Sequence, residues 1–127
     1  MQQNFIKKVI NASAGTGKTY RLSLEYIALL LKFQEQAASF REILVITFTR
    51  KATAEIRERI FLHLENIVQR TGDGKEVITN LETILQRSIS DSDIEYLKST
   101  YHNMLMNKNQ VQISTIDSFT NQIFASI

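Results

Sequence analysis

Eight residues near the start of the chain, Ala12-Ser13-Ala14-Gly15-Thr16-Gly17-Lys18-Thr19, have the types and spacing of a phosphate-binding loop, with alanine where the first glycine usually stands. Gly15 and Gly17 permit the tight turn that aims successive backbone N–H groups inward as an anion nest. The helix expected to open at Lys18 turns its positive dipole end to the same point. In such a loop Lys18 reaches the β- and γ-phosphates of a nucleotide and the Thr19 hydroxyl ligates Mg²⁺. Ala12 is a small departure, because its position asks only for a small side chain. The competing reading is a chance glycine turn that starts a helix.

A second set is Thr47-Phe48-Thr49-Arg50-Lys51, followed by Ala52-Thr53-Ala54-Glu55-Ile56-Arg57-Glu58-Arg59-Ile60. Two threonines bracket an aromatic ring, and a basic dipeptide follows at a helix start. These parts suit a single nucleic-acid strand: a ring for a base, hydroxyls for phosphates and cations for the backbone. The same residues also read as a plain strand end followed by an amphipathic helix. A third set is Ser114-Thr115-Ile116-Asp117-Ser118-Phe119, where Asp117 is suited to N-capping a terminal helix. His63 and His102 stand alone without metal-ligand neighbours and read as structural. Met104 and Met106 read as core or core edge.

These sets need elements to hold them. Phe5–Asn11 reads as a short strand running into the loop. From Lys18 to about Phe33 the residues Leu22, Tyr26, Leu29 and Leu30, broadened by Ala28 and Leu31, predict a mostly buried helix. After a polar loop over Gln34–Arg41, the apolar run Ile43–Phe48 predicts a strand buried on both faces. Ala52, Ile56, Ile60, Leu64 and Ile67/Val68 form the stripe of a second long helix from about Arg50 to Arg70, ended by the turn Thr71–Gly74. Two helices are then expected: Glu76–Arg87, with Val77, Ile78, Leu81, Ile84 and Leu85 inside, and Asp93–Asn107, with Ile94, Leu97, Tyr101, Met104 and Leu105 inside. Ser92 and Glu95 fit a capping box for the latter. Val111–Ser114 reads as a third strand. Alternating strands and helices predict an α/β fold, a doubly wound three-layer parallel sheet, with residues 71–109 as a helical insertion.

Composition narrows the class. The chain has 127 residues, 43% of them hydrophobic and 22% charged, which is ordinary for one globular domain. It has no cysteine, which excludes disulfide scaffolds, thiolate zinc sites and a cysteine nucleophile. It has no proline and four glycines, so few positions interrupt an element and the fold should be helix-rich. Its longest apolar run, Tyr26–Leu31, falls far short of the ~20 residues a membrane span needs. No charged n-region followed by an apolar stretch opens the chain, and a cytoplasmic location without membrane contact is expected. Net charge is +2, but residues 1–60 hold ten Lys/Arg against five Glu, whereas 61–127 hold five against eight Asp/Glu. A basic first half agrees with an anionic partner.

The three ordered sets resemble motifs I, Ia and Ib of UvrD/Rep-type superfamily 1 DNA helicases, and their wording is most similar to the RecB/AddA-like helicase–nuclease branch. The resemblance spans residues 12–119, nearly the whole chain. It implies a P-loop (RecA-like) motor domain, 1A, with Ala12, Ser13, Ala14, Gly15, Thr16, Gly17, Lys18 and Thr19 on ATP and Thr19 on Mg²⁺. It also implies a single-stranded DNA track including Thr47, Phe48, Thr49, Arg50 and Lys51, with Thr115, Asp117 and Phe119 on the same side. Its further implications are ATP-driven translocation in DNA repair, the remaining helicase domains of a parent chain as partners, and a nuclease partner subunit.

The chain departs from that pattern in four places. Asp117 replaces a histidine that many relatives carry, and a helix N-cap is its expected role. Only Gln2 and Gln3 precede the loop as adenine readers. Tyr20 and Arg21 follow it within reach of a nucleotide, with a solvated position expected for Arg21. No apolar run ends in the Asp-Glu pair of motif II, and the second motor domain's arginines have no counterpart. Residues 1–127 are therefore expected to be the N-terminal part of a truncated ATP-binding domain, able to bind ATP but not to turn it over. Two rivals stay open: another P-loop enzyme such as a small phosphotransferase, and a non-catalytic anion-binding module.

Overall fold

The computed structural model describes residues 11–12, 16–34 and 39–125, with side chains from 18 to 34 and from 39 to 123. Of the strand expected over Phe5–Asn11 all but Asn11 lies outside the described residues, as do the loop residues Ser13–Gly15. In chain order the elements are β1 (Asn11–Ala12), α1 (Thr16–Phe33), β2 (Leu44–Thr47), α2 (Arg50–Gln69), α3 (Gly74–Leu85), α4 (Asp91–Met106), β3 (Gln112–Thr115) and α5 (Ile116–Ala125). Short 3-10 turns at Phe40–Glu42 and Lys108–Gln110 precede β2 and β3.

β1, β2 and β3 pair in parallel, side by side in sequence order. A doubly wound sheet reverses its strand order at a switch point, and these three strands show no reversal. The fold is therefore a helix-rich α/β arrangement on a small parallel sheet, and the double winding expected from sequence is not met among the described residues. All four residues of β2 are buried, which in a pleated strand means cover on both faces. Connections of one hand between strands in sequence order put the intervening helices on one face. In agreement, α1 packs against α2, α3 and α4.

One apolar core joins these helices to the sheet. Tyr26, Ile27, Leu30 and Leu31 of α1 meet Ile56, Ile60, Leu64 and Ile67 of α2, Val77 and Leu81 of α3, and Leu97 and Met104 of α4. The stretch 71–109 is thus part of the main core. The turn before α3 depends on two glycines. Gly72 has φ +53°, and a Cβ on Gly74 would stand 2.5 Å from the Asn66 carbonyl oxygen, closer than any side chain can sit.

Three sequence expectations change. The capping box of α4 is Ser90 with Asp93, two residues before the Ser92–Glu95 pair, because Asp93 is also held by Arg87 and Gln34. Burial opposes the Asp93 charge, but hydrogen bonds from Arg87, the Ser90 backbone and Gln34 outweigh it and hold the carboxyl down to about 2. Leu105, expected inside, is 38% exposed, and Met106 is exposed as well; the α4 stripe is narrower than its sequence suggests. At β3, the Thr115 hydroxyl accepts the Ser118 N–H at 3.2 Å. Thr115 therefore caps α5, and Asp117 sits exposed within its first turn.

Candidate functional site

Parallel pairing sends the C-terminal ends of all three strands to one edge. The register aligns Ala12 with Thr47 and Thr47 with Thr115, so the three motifs leave the sheet in a row, about 4.8 Å apart from strand to strand. This edge is where open parallel sheets place ligands.

The first motif feeds α1, whose first turn contains no acid. Lys18 is exposed there, while Thr19 is 3% exposed. A cation at a helix N-terminus opposes the dipole, and a bound anion would offset that opposition. Arg21 turns away to an exposed pair with Glu25 at 3.1 Å.

The second motif follows β2. Phe48 is 62% exposed, and Thr49, Arg50 and Lys51 are exposed beside it. An apolar ring held in solvent next to two cations has the make-up of a stacking platform. Below it, Thr47 is 1% exposed. Its hydroxyl lies 2.5 Å from that of Thr53 and 3.1 Å from the Thr49 carbonyl. The Thr49 hydroxyl in turn accepts the Ala52 N–H at 3.0 Å. Thr47, expected on the single-stranded DNA track, is thus buried and braces the turn from within. Thr53, which no sequence signal marked beyond its place in the motif, is the other half of that brace.

The third motif is less exposed. Thr115 is half-buried, and half-buried Phe119 lines a cleft of about 530 Å³ with Arg41, Arg57 and residues of β3. Arg57 donates to the carbonyls of Val111 and Ile113 at 3.3 and 3.4 Å. The Ser114 carbonyl accepts instead from Thr47 of β2, so by strand alternation Arg57 covers the edge of β3 facing away from β2. Its role was invisible in sequence, since it depends on how α2 lies across β3. The structure thus brings Lys18, Thr19, Phe48, Thr49, Arg50, Lys51 and Thr115 to one sheet edge, with Asp117 exposed in the turn beyond.

Away from this edge, His63 is 1% exposed with neither ring nitrogen hydrogen-bonded, and His102 is exposed. Burial pushes the His63 pKa down, with Asp73 opposing and Arg59 adding to the shift. Among the described residues no helix is long and apolar enough to cross a membrane.

Strand ends and helix starts of three motifs meet at one end of a parallel sheet, and comparison with known proteins gives the family. Residues 3–126 match the UvrD/REP helicase N-terminal domain, and the chain belongs to that family. It is similar to the RecBCD enzyme subunit RecB of Mycobacterium tuberculosis, 32% identical over 94% of this chain and 10% of the relative. It is also similar to RecB of Buchnera aphidicola, 35% identical over 76% of this chain and 8% of the relative. An ATP-dependent helicase/nuclease protein of Lacticaseibacillus casei is 33% identical over 91% of this chain and 8% of the relative. The chain spans about a tenth or less of the length of these relatives. No solved structure matches it significantly.

Proposed function

We propose that this chain is the nucleotide-binding first part of an ATP-dependent DNA helicase motor that translocates on single-stranded DNA in recombination or repair. In this reading it is part of a three-layer P-loop (RecA-like) domain, completed by further strands and a second motor domain of a longer protein, and it works with a nuclease function. The observation that carries it is the alignment of Ala12, Thr47 and Thr115 at one sheet edge, in a chain whose family is that of UvrD/REP helicases.

The residues fit the cofactor. Ala12–Thr19 would wrap the phosphates, with the exposed Lys18 at an acid-free helix start neutralising their charge and Thr19 holding Mg²⁺. Bound ATP supplies the phosphoanhydride bond whose hydrolysis drives stepping. Phe48 stacks a base, and Arg50 and Lys51 meet the strand's phosphates, while Thr47 and Thr53 keep that turn in shape. Asp117 adds negative charge at the third motif and serves the α5 dipole rather than a phosphate.

Lys18 and the loop amides bind ground-state phosphates about as well as the transition state, which aids binding more than rate. The groups that orient water and supply a cation in trans, the latter worth ~10³–10⁵ in rate, come in this reading from other parts of the parent protein. The test is paired binding and turnover on the 127-residue chain. Mg-ATP and a short single-stranded oligonucleotide should both bind, the latter weakly and with steep salt dependence, and no phosphate should be released. Steady phosphate release lost in Lys18→Ala would point to a small phosphotransferase. Nucleotide binding without any oligonucleotide binding would remove the DNA part of the reading.

A further inference from the structure

The first turns of α1 touch more than the sheet. Tyr20 follows Thr19 directly, and its hydroxyl accepts a hydrogen bond from Asn80 Nδ2 at 2.8 Å. Asn80 belongs to α3, sixty residues away in sequence and inside the stretch 71–109. The Tyr20 ring meets the His63 ring of α2 edge to face, with centroids 5.2 Å apart and planes at 89°. The Ser23 hydroxyl donates to the Tyr20 carbonyl at 2.6 Å and ties down the same turn.

His63 makes this arrangement informative. A buried imidazole with two unbonded nitrogens gains nothing from its polar atoms, and such groups are rare in folded proteins. What it does contribute is a flat face or edge for Tyr20. One tyrosine, next in sequence to Lys18 and Thr19, is thus held from two sides by α2 and α3.

We infer that Tyr20 is a positioning residue for the nucleotide loop, held by Asn80 and His63 so that the 71–109 stretch helps to set where Lys18 and Thr19 stand. The inference rests on the nucleotide-binding reading above. Consecutive helix residues share one rigid turn, so a rotation of α1 about its axis that moves Tyr20 also moves the Lys18 ammonium and the Thr19 hydroxyl. The hydrogen bond from Asn80 and the contact with the His63 ring both oppose that rotation.

The test is calorimetric titration of the 127-residue chain with Mg-ATP, alongside thermal unfolding. Tyr20→Phe and Asn80→Ala should each weaken affinity by about three- to tenfold, and each should lower the unfolding midpoint by no more than the few degrees that one net hydrogen bond is worth. Asn80→Asp should restore affinity in the Tyr20 chain, because its carboxylate accepts the Tyr20 hydroxyl proton, but not when combined with Tyr20→Phe. Wild-type affinity in both single variants overturns the inference. So does an Asn80→Asp protein as weak as Asn80→Ala, or an affinity loss that merely follows a fall in midpoint. A wild-type chain that binds no Mg-ATP refutes instead the nucleotide reading beneath it.

Discussion

The helix starts of this chain fall into two kinds. α1 and α2, which leave the sheet edge, begin with cations and no acid: Lys18 in one, Arg50 and Lys51 in the other. In the stretch 71–109, α4 begins with Asp91 and Asp93 and has a complete capping box, while α3 begins with Glu76 beside Lys75 and so carries no net cation. A charge at a helix terminus is worth about 0.3–1 kcal/mol, favourable for an acid at the N-terminus and unfavourable for a base. The second kind is therefore arranged for stability, and the first gives some of it up. A helix start with the wrong sign of charge is corrected when an anion arrives, so the contrast separates the proposed binding edge from its support. α5 begins with Asp117 and sides with the support, although it follows the third motif.

The largest effect should come from the support. Asp93→Ala removes the box, the ion pair with Arg87 and the bond from Gln34, and should cost about 2–4 kcal/mol in urea unfolding. Part of that stability depends on pH. The Asp93 carboxyl is held at about 2 against an ordinary 3.8, so its contribution is complete above pH 3.8 and is lost as pH falls towards 2. Asp93→Asn should flatten that loss; an unchanged acid limb would mean that the carboxyl carries no such load.

The binding edge should respond differently. Phe48→Ala should weaken oligonucleotide binding by about 1–3 kcal/mol if a base stacks there, and leave urea unfolding almost unchanged because the ring is exposed. Loss of stability without loss of binding would place Phe48 with the support. A smaller effect concerns His63. Its pKa is pushed down by burial, so the unfolded chain takes up this proton at higher pH than the folded one, and stability is complete above pH 6.5 and falls below it. His63→Phe should remove that slope between pH 6.5 and 5, and an unaltered slope would assign it to other groups.

Sequence made the apolar scaffold legible and left its junctions dark. The α2 stripe of Ala52, Ile56, Ile60, Leu64 and Ile67 is buried throughout, and so is the run that became β2, because periodicity and β-branching report burial directly. Local pattern does not place the α4 cap, because Ser90-x-x-Asp93 and Ser92-x-x-Glu95 are equivalent locally; Arg87 and Gln34 decide between them through contacts made only in the folded chain. Thr47 and Thr53 were visible as motif residues, but their mutual hydrogen bond was not. The Tyr20–Asn80 contact joins residues sixty apart and left no trace in any local pattern.

In the proposed reading the start of α1 is built for a phosphate rather than for stability. The most direct measurement is Mg-ATP titration and thermal unfolding of the wild-type chain and Lys18→Ala together. Nucleotide affinity should fall at least about tenfold in Lys18→Ala, because one charge-assisted phosphate contact is lost. The unfolding midpoint without nucleotide should be equal or slightly higher, because a cation opposing the helix dipole has gone. A lowered midpoint with nucleotide affinity unchanged would contradict it.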